Sequence, residues 1–454
     1  MGLYKFRKMH PATILLSSYL LAIGTGTSLL LIPYATVSGD ISLMDALFTA
    51  TSAVCVTGLV VVDTGSYFTL FGQGVVLTLI QLGGLGIMTV SVTIFHLMGK
   101  SISFRQRMAV QDVFAHTPRK DIYHLLMAIF CFTGIAELIG ATLLFVHWSK
   151  EYLWTKALYM AVFHSVSAFC NAGFSLLSNS FMDYRGELLL NLTICALIIF
   201  GGIGFPVIYD IYKTTFQRHE RRSKLSIQTK TVLITTGILI VSGMVVFWGI
   251  EQNASLQEGS FSKSMLASFF QSVTCRTAGF NTIDIAALNN TTLTFMIFLM
   301  FFGASPGSCG GGIKTTTLAV LGAFTWSRLR RRIRVNIFKK SIPKETVTKS
   351  VSLVVISISL ICMLFFLLLL SAPKESVNGA GHGQFLAYLF EVVSAFGTVG
   401  LSMGATAEIN NWGKFLIFLM MLIGRVGVLT FSYVIAGTEP LKGIEYVEEN
   451  IMIG

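Results

Sequence analysis

Charged side chains are scarce in this chain. Lysine, arginine, aspartate and glutamate make up 12% of the 454 residues, about half the ~25% usual for a soluble domain. Hydrophobic residues make up 53%, and the mean hydropathy is +0.72. This composition excludes a soluble globular domain and predicts an all-α protein that crosses the membrane several times.

The chain also lacks the clusters that catalysis or metal binding needs. Its seven cysteines show no CxxC or zinc spacing and lie in apolar runs or beside glycines, so we expect free, buried thiols. The eight histidines are scattered along the sequence. We therefore expect neither an enzyme nor an organic cofactor.

Long polar segments are missing as well. The predicted loops that carry 24 of the 33 lysines and arginines do not exceed roughly 25 residues, which leaves no room for a nucleotide-binding domain. By the positive-inside rule these loops and both termini are cytoplasmic. The net charge of +11 is thus a topology signal. We interpret the basic run at 328–334 as topology signal and lipid headgroup contact, not as a nucleic-acid site.

What the chain does have is a fourfold repeat. SAVCVTGL at 52–59 is echoed by SAFCNAGF at 167–174, VTCRTAGF at 273–280 and SAFGTVGL at 394–401. A second glycine signal follows each one after 24 to 28 residues: GGLG at 83–86, GGIG at 201–204, GASPG at 303–307 and GRVG at 424–427. Offsets this steady indicate four copies of one unit.

Hydropathy places two spans in each copy. Eight apolar segments are long enough to cross a bilayer: 12–34, 73–97, 124–147, 187–212, 229–250, 291–326, 348–370 and 412–436. Four shorter ones, at 42–56, 155–171, 262–277 and 383–398, predict re-entrant pore helices. The repeats then occupy 1–99, 124–213, 229–327 (with a broken second helix) and 348–437, followed by a tail at 438–454. All four share one orientation and can surround a pseudo-fourfold pore.

The repeated turns suit a cation path. A half-helix entering from outside points its negative C-terminal end at the bilayer centre. Glycine lets the backbone turn its carbonyls toward the axis, and rings of carbonyls select potassium. The alternative is that each glycine only permits close helix packing. The candidate ligands are the carbonyls of Val56, Thr57, Gly58, Asn171, Ala172, Gly173, Thr277, Ala278, Gly279, Thr398, Val399 and Gly400.

The stretch GASPGSCGGGIKTTT at 303–317 breaks a predicted span just inside the turns. It is not a phosphate loop, because Ile313 separates Gly312 from Lys314. Irregular backbone at this depth must line a cavity or be covered by protein. Arg425 lies at the corresponding depth and should touch carbonyls, either tying helices together or acting on the path.

The positions of three further residues and of the tail also suggest roles. Lys314 is a helix-end residue or a gating residue, and Glu137 makes a packing hydrogen bond or binds an ion. We expect Arg276 to brace the third turn from behind. From its residues we expect the acidic tail to be a solvated end.

The four turns, the spans, GASPGSCGGGIKTTT and IGRVG resemble the Trk/Ktr/HKT superfamily of potassium transporters over essentially the whole chain. The sequence is closest to the Ktr-type (KtrB-type) membrane subunit, since one span precedes the first turn. The resemblance implies potassium uptake across the cell membrane, a homodimer, and a separate cytoplasmic nucleotide-binding regulatory subunit that forms an octameric ring. It also implies that the tail is tucked into the dimer interface and is not a solvated end. Sodium-favouring plant relatives carry serine at the first selectivity glycine, whereas this chain has Gly58.

The resemblance also implies that the broken helix is an intramembrane gate. Its candidate residues are Gly303, Ser305, Pro306, Gly307, Gly310, Gly311, Gly312, Lys314 and Arg425. The alternative function is a secondary transporter of another small cation or solute. That class predicts inverted repeats and paired charges at the midplane, which the sequence does not show.

Overall fold

The computed structural model describes residues 11–87, 89, 122–216, 225–257, 260–371 and 383–436. The tail at 438–454, residues 98–121 of the first basic loop and residues 217–224 of the second lie outside these residues. Helices dominate the described part, and a two-stranded hairpin is its one sheet.

The first two units share one order of elements: a long helix, a short helix, a glycine turn and a further helix. The first contains α1 (Pro11–Leu30), α2 (Leu43–Val54) and α3 (Leu70–Leu85), with short helical turns at Pro33–Ala35 and Thr64–Tyr67. The second contains α4 (Ile122–Trp148), α5 (Trp154–Phe169), α6 (Leu188–Ile203) and α7 (Phe205–Phe216), with a turn at Met182–Tyr184.

The third and fourth units repeat this order. The third contains α8 (Ile227–Glu251), α9 (Phe261–Thr274), α10 (Asn290–Phe301) and α11 (Thr315–Leu329), with a turn at Ile285–Ala287. Strands β1 (Asn336–Ile337) and β2 (Lys340–Ser341) form an antiparallel hairpin. The fourth contains α12 (Lys344–Ser371), α13 (Gln384–Gly397), α14 (Asn411–Val426) and α15 (Val428–Ala436), with a turn at Ala405–Glu408.

Four described helices are long and apolar enough to cross a membrane: α1, α4, α8 and α12. These are the first helices of the four units. The pair α6 and α7 makes a fifth candidate if it is taken as one bent span. The count of eight crossings and the boundaries of the repeats stay predictions.

The short helices α2, α5, α9 and α13 form the centre of the molecule. Each packs against the long first helix of its own unit. Each also packs against the helix that follows the glycine turn in the preceding unit: α3 on α5, α6 on α9, α10 on α13 and α14 on α2. The contact between α14 and α2 brings the last unit back to the first, and an ion pair of 2.7 Å between Lys414 Nζ and Asp45 Oδ1 joins these two helices. The four units therefore close into a ring.

The helices that follow the turns are interrupted within the predicted spans. In the segments 187–212 and 412–436, α6 ends at Ile203 before Gly204 and α14 ends at Val426 before Gly427. Helices α6 and α7 meet at an angle of 92°. Helix α3 likewise ends at Gly86 within the predicted span 73–97. Gly86, Gly204 and Gly427 have φ of 83°, 99° and 92°, values that residues with a side chain rarely adopt and that do not continue an α-helix.

The glycines also explain why a second signal follows each turn. A Cβ at Gly83, Gly201 or Gly424 would lie closer than 3.0 Å to a carbonyl oxygen at the end of the short helix in the same unit. Those carbonyls belong to Val54, Phe169 and Phe396, each four residues before its turn glycine. In the first, second and fourth units the first glycine of the signal thus permits close packing, and the last one follows directly after the end of the helix.

The cysteines are free. Cys55, Cys170, Cys195, Cys275 and Cys309 are buried, but Cys131 and Cys362 are exposed on the outer faces of α4 and α12. The expectation of buried thiols is therefore wrong for these two, because each lies on the side of a long apolar helix that faces away from the protein.

Candidate functional site

The four glycine turns have the same backbone shape. Gly58, Gly173, Gly279 and Gly400 have φ between 70° and 90°, and the residue two positions before each one is also left-handed. Those residues are Val56, Asn171, Thr277 and Thr398, with φ of 50° to 72°. Left-handed φ is uncommon outside glycine, and for β-branched residues it is an outlier. Three such residues in equivalent positions indicate a backbone that its surroundings hold in place.

Hydroxyl groups on the short helices hold the turns from behind. Gly58 N donates to Ser52 Oγ at 3.0 Å and Gly400 N donates to Ser394 Oγ at 3.1 Å. In the second unit Ser167 Oγ donates to the carbonyl of Phe174 at 2.8 Å. The third unit has Val273 at this position, and Thr274 Oγ1 donates to the carbonyl of Phe280 at 2.6 Å instead. Four side chains thus fix the turns without using the carbonyls that precede the glycines.

The four glycines form a closed ring. A Cβ on Gly173 would lie 2.8 Å from the carbonyl oxygen of Ala278, and one on Gly279 would lie 2.5 Å from that of Val399. A Cβ on Gly400 would meet the carbonyl of Thr57, and one on Gly58 would meet that of Ala172. In every case the contact is to the residue just before the glycine of the next unit. Backbone therefore meets backbone around the whole ring, with no space for a methyl group.

One cavity of about 380 Å³ opens onto this ring. All four ring glycines line it, together with the segments that follow them. Asp63 is the one charged residue among the described residues that line it. Its Oδ1 accepts from Gly65 N at 2.8 Å and caps the short helix Thr64–Tyr67. The cavity thus combines a floor of backbone with a single negative charge, a combination that favours cations over anions.

Two buried ionisable side chains hold the segments after the ring. Glu391 lies nine residues before Gly400 and is fully buried. Its carboxylate accepts from Ser402 Oγ at 2.6 Å, Thr406 Oγ1 at 2.6 Å and Met403 N at 3.1 Å.

His164 occupies the equivalent position in the second unit, nine residues before Gly173. Its Nδ1 lies 2.8 Å from the carbonyl of Met160 and therefore carries the proton. Its Nε2 accepts from Leu176 N at 3.3 Å and lies 3.1 Å from Ser175 Oγ. Both residues anchor the cavity wall to the short helix behind it.

The broken helix of the third unit places an irregular loop beside the ring. Helix α10 ends at Phe301 and α11 begins at Thr315, so residues 302–314 form an irregular segment with turns but no helix. We call residues 303–312 the candidate gate loop. Gly303 N donates to the carbonyl of Ile313 at 3.0 Å, which brings the two ends of the loop together. Ser305 Oγ and Thr315 Oγ1 lie 2.9 Å apart and add a side-chain link between those ends.

The candidate gate loop touches the ring directly. Gly311 N donates to Thr398 Oγ1 at 2.8 Å. A Cβ on Gly303 or Gly310 would lie closer than 3.0 Å to the side chain of Thr277. The glycines of this loop therefore allow it to pack against the residues that precede the ring glycines in the third and fourth units.

The loop is also bonded to its two neighbouring units. Ser305 N donates to the carbonyl of Gly202 at 3.0 Å, and Cys309 N donates to that of Gly201 at 3.1 Å. On the other side Gly312 N donates to the carbonyl of Gly424 at 3.2 Å. The second and fourth units thus hold the loop against the residues that precede the ring glycines.

Arg425 is the link to the remaining unit. Its Nη1 donates to the carbonyl of Cys309 in the loop, and its Nη2 donates to the carbonyl of Gly83 in α3. The expectation that this arginine touches carbonyls is confirmed. Lys314 is the N-cap residue of α11, and its Nζ donates to the carbonyls of Gly310 at 2.7 Å and Gly311 at 3.3 Å. Both cations therefore contact the loop itself.

Two further ionisable residues singled out in the sequence, Glu137 and Arg276, direct their side chains toward neighbouring helices and not toward the ring. Glu137 Oε2 accepts from Gln81 Nε2 at 3.2 Å, which fits the packing interpretation. Arg276 is buried, and its Nη2 lies 3.4 Å from Thr236 Oγ1 on α8, behind the third turn. The sequence reasoning did not find Glu391 or the carbonyl of Gly83. A common offset of nine residues from the ring glycines could have indicated Glu391, together with His164.

This arrangement can pass or hold a small cation but offers no reacting group. The four short helices end at the ring, so their negative ends point toward it. A helical membrane protein with a ring of glycine turns, a cavity that opens onto the ring and an irregular loop beside it fits the class of ion-transport proteins.

Comparison with known proteins identifies the family. Residues 2–440 match the TrkH family, described as cation transport protein, and the chain belongs to that family. This confirms the resemblance found in the sequence and places the chain in a family of transporters rather than enzymes.

Three relatives show how far the similarity extends. The chain is 40% identical to the Ktr system potassium uptake protein B of Vibrio alginolyticus, covering 97% of this chain and 94% of the relative. It is 35% identical to the potassium/sodium uptake protein NtpJ of Enterococcus hirae, covering 99% and 98%. The crystal structure of the potassium transporter TrkH from Vibrio parahaemolyticus matches with a TM-score of 0.71 at 18% identity, over 94% of this chain and 84% of that one. The last comparison supports the fold.

Proposed function

We propose that this chain is the membrane subunit of a Ktr-type potassium uptake system. The observation that carries the proposal is the closed ring of four glycines at the floor of one outer cavity. Carbonyls held in such a ring can replace the hydration shell of potassium. The names of the relatives, which are potassium uptake proteins, support the same ion.

In this proposal the ring is the selectivity filter. Its ligands are the carbonyls of the ring glycines and of the two residues before each one, the twelve residues predicted from the sequence. The left-handed backbone at alternate positions and the hydroxyl anchors behind the turns support this assignment. One glycine per unit gives a shorter filter than the TVGYG loops of potassium channels.

The candidate gate loop closes the path on the inner side of the ring. Its bonds to Thr398, Gly424 and Arg425 support a closed state in which one loop covers the axis. The charge of Arg425 opposes a cation at the same place, because charges interact strongly where water is excluded. Opening then requires that the loop and Arg425 separate.

The assembly follows from the same proposal. The chain would span the cell membrane eight times, with both termini in the cytoplasm, and form a homodimer. A separate nucleotide-binding subunit of the octameric-ring type would regulate it from the cytoplasm. The similarity to Ktr system proteins supports a partner of this kind.

An uptake assay tests the proposal. Cells that lack their own potassium uptake systems would express the chain, and potassium uptake would be measured over a range of external concentrations with and without sodium. We expect saturable potassium uptake that restores growth at low potassium. Normal membrane abundance without such uptake would refute the proposal.

The alternative is a transporter whose cargo is a different cation. The relative named as a potassium/sodium uptake protein favours keeping sodium as a candidate. In the same assay, sodium uptake that persists without potassium and shows the higher affinity would support this alternative.

A further inference from the structure

A second cavity lies far from the ring, between α11, the β1–β2 hairpin and the start of α12. It has a volume of about 550 Å³. Arg328, Arg334 and Lys344 line it, together with apolar side chains that include Phe324, Val347 and Val351. We call it the basic groove.

The basic groove is built on a packed base. Val320 of α11, Val335 before β1 and Val347 of α12 form a separate small cluster of buried side chains. Ile342 N donates to the carbonyl of Val335 at 2.8 Å, beside the paired strands of the hairpin. The hairpin is thereby fixed between two helices, so the groove is a defined site.

No acidic side chain among the described residues balances the positive charge of the basic groove. The residues that line the groove include three cations and no acid. Among the described residues, none of these cations takes part in an ion pair; the nearby acid Glu345 pairs with Lys349 at 2.7 Å. The guanidinium of Arg328 lies 5.1 Å from the ring centre of Phe324. Three unpaired cations over apolar side chains match a ligand that is anionic at one end and apolar at the other.

The expected depth of the basic groove in the membrane limits which anionic ligands can reach it. Helix α12 has 28 residues, about 42 Å at 1.5 Å per residue. A hydrocarbon core of about 30 Å takes up roughly 20 of them. If the apolar C-terminal part of α12 fills the core, the residues from Lys344 to Val351 lie at the headgroup layer. Exposed apolar side chains surround the groove at the same level: Leu329 and Ile333 are 74% and 79% exposed.

We propose that the basic groove binds the headgroup of an anionic phospholipid from the cytoplasmic leaflet. The phosphate contacts Arg328, Arg334 and Lys344, and the first part of an acyl chain lies along Phe324 and Val351. Guanidinium groups suit phosphate because they offer paired donors in one plane. The proposal depends on the membrane orientation given under the proposed function, but not on the transported ion.

Two triple variants test it. One replaces Arg328, Arg334 and Lys344 by glutamine. The matched control replaces Arg332, Lys339 and Lys340 by glutamine. These residues lie between α11 and α12, as Arg334 does, but do not line the groove. Both lose three positive charges. Each purified protein, without any partner, is placed in nanodiscs or mild detergent, and retention of phosphatidylglycerol and phosphatidylcholine is measured by native mass spectrometry.

The wild type should retain phosphatidylglycerol in preference to phosphatidylcholine. The groove variant should weaken that retention by about tenfold or more, since each cation near an anionic surface contributes measurably to binding. The control should keep it within about threefold. A third variant, Arg328→Lys with Arg334→Lys, preserves the charge but removes the paired guanidinium donors, so its lipid retention should lie between that of the wild type and that of the groove variant. Retention above that of the groove variant separates loss of charge from misfolding. Millimolar inorganic phosphate should not displace the lipid.

Three outcomes would overturn the proposal. These are equal losses in both glutamine triples, no preference for the anionic lipid in the wild type, and full displacement by free phosphate. Binding that requires a soluble partner protein would also overturn it and would make the groove a protein interface. Potassium uptake of the same variants is measured separately, in cells that lack their own potassium uptake systems, so a failed lipid result leaves the proposed function to be judged independently.

Discussion

Adding one methyl group to the ring is the most direct test of the filter. Gly279→Ala places a Cβ 2.5 Å from the carbonyl oxygen of Val399, whereas ordinary van der Waals contact begins at 3.4 Å. The carbonyl must therefore move by about 0.9 Å. Gly173→Ala places its Cβ 2.8 Å from the carbonyl oxygen of Ala278 and requires about 0.6 Å. The two substitutions apply the same chemistry with different displacements.

The displacement sets the size of the effect on potassium affinity. A hydrogen bond to a charged group contributes roughly 1.5–3 kcal/mol, and we take a carbonyl–cation contact to be similar. Losing most of one contact corresponds to about a 10- to 100-fold change in affinity. We therefore expect the half-saturating potassium concentration to rise by roughly 10- to 100-fold in Gly279→Ala. In Gly173→Ala the rise should be smaller, because the carbonyl moves less.

A control is needed because alanine at positive φ is strained wherever it occurs, at a cost of about 1–2 kcal/mol. Gly39 has φ of 84°, as Gly279 does, but nothing lies within 4 Å of its Cβ position. Gly39→Ala thus carries the backbone strain without the crowding. It should reduce thermal stability but leave the half-saturating concentration unchanged.

The assay is potassium uptake against external potassium, at matched membrane abundance, for the wild type and the three variants. The reasoning predicts an order: Gly279→Ala shifts most, Gly173→Ala shifts less and Gly39→Ala does not shift. Equal shifts in Gly39→Ala and Gly279→Ala would mean that strain, and not the ring, causes the effect. Wild-type affinity in both ring variants would refute the filter assignment.

Three further predictions concern the loop and the cavity wall. Arg425→Ala, or shortening the loop 303–312, should raise maximal potassium flux several-fold with little change in half-saturation; unchanged or lower flux in both would place the gate elsewhere. Thr398→Val should leave Gly311 N without its acceptor and so release the loop, since an unsatisfied buried donor costs about 1–3 kcal/mol; a melting temperature and flux equal to wild type would contradict this. Glu391→Gln keeps the shape but weakens three accepted hydrogen bonds, and we expect lower thermal stability and a several-fold higher half-saturating potassium concentration; an unchanged half-saturation would make Glu391 a purely structural residue.

The turns were predictable because each one repeats the same constraint. Four short apolar segments that end at glycine can be recognised from spacing alone, and the structure has helices at all four. The contact of Arg425 with carbonyls was also predictable, because a buried arginine needs acceptors.

The partners of those residues were not predictable. Arg425 reaches Gly83 across 342 residues of sequence, and no local pattern specifies such a contact. The breaks at Gly86, Gly204 and Gly427 were missed for a different reason. Apolar residues continue on both sides of each glycine, so hydropathy indicates one span, and only the backbone dihedral shows that the helix stops.

The closure of four unequal units in one chain has a consequence for how such a ring can change. In a channel built from four identical subunits, every substitution appears four times around the axis. Here a substitution appears once, so the ring can be altered one quarter at a time. The third unit is an instance: its helix break is extended into a loop of about a dozen residues, whereas in the second and fourth units a single glycine separates the two helices. A single chain can therefore extend the helix break of one quarter into a loop that, in the proposed function, closes the path, while all four quarters keep their turn glycine in the ring.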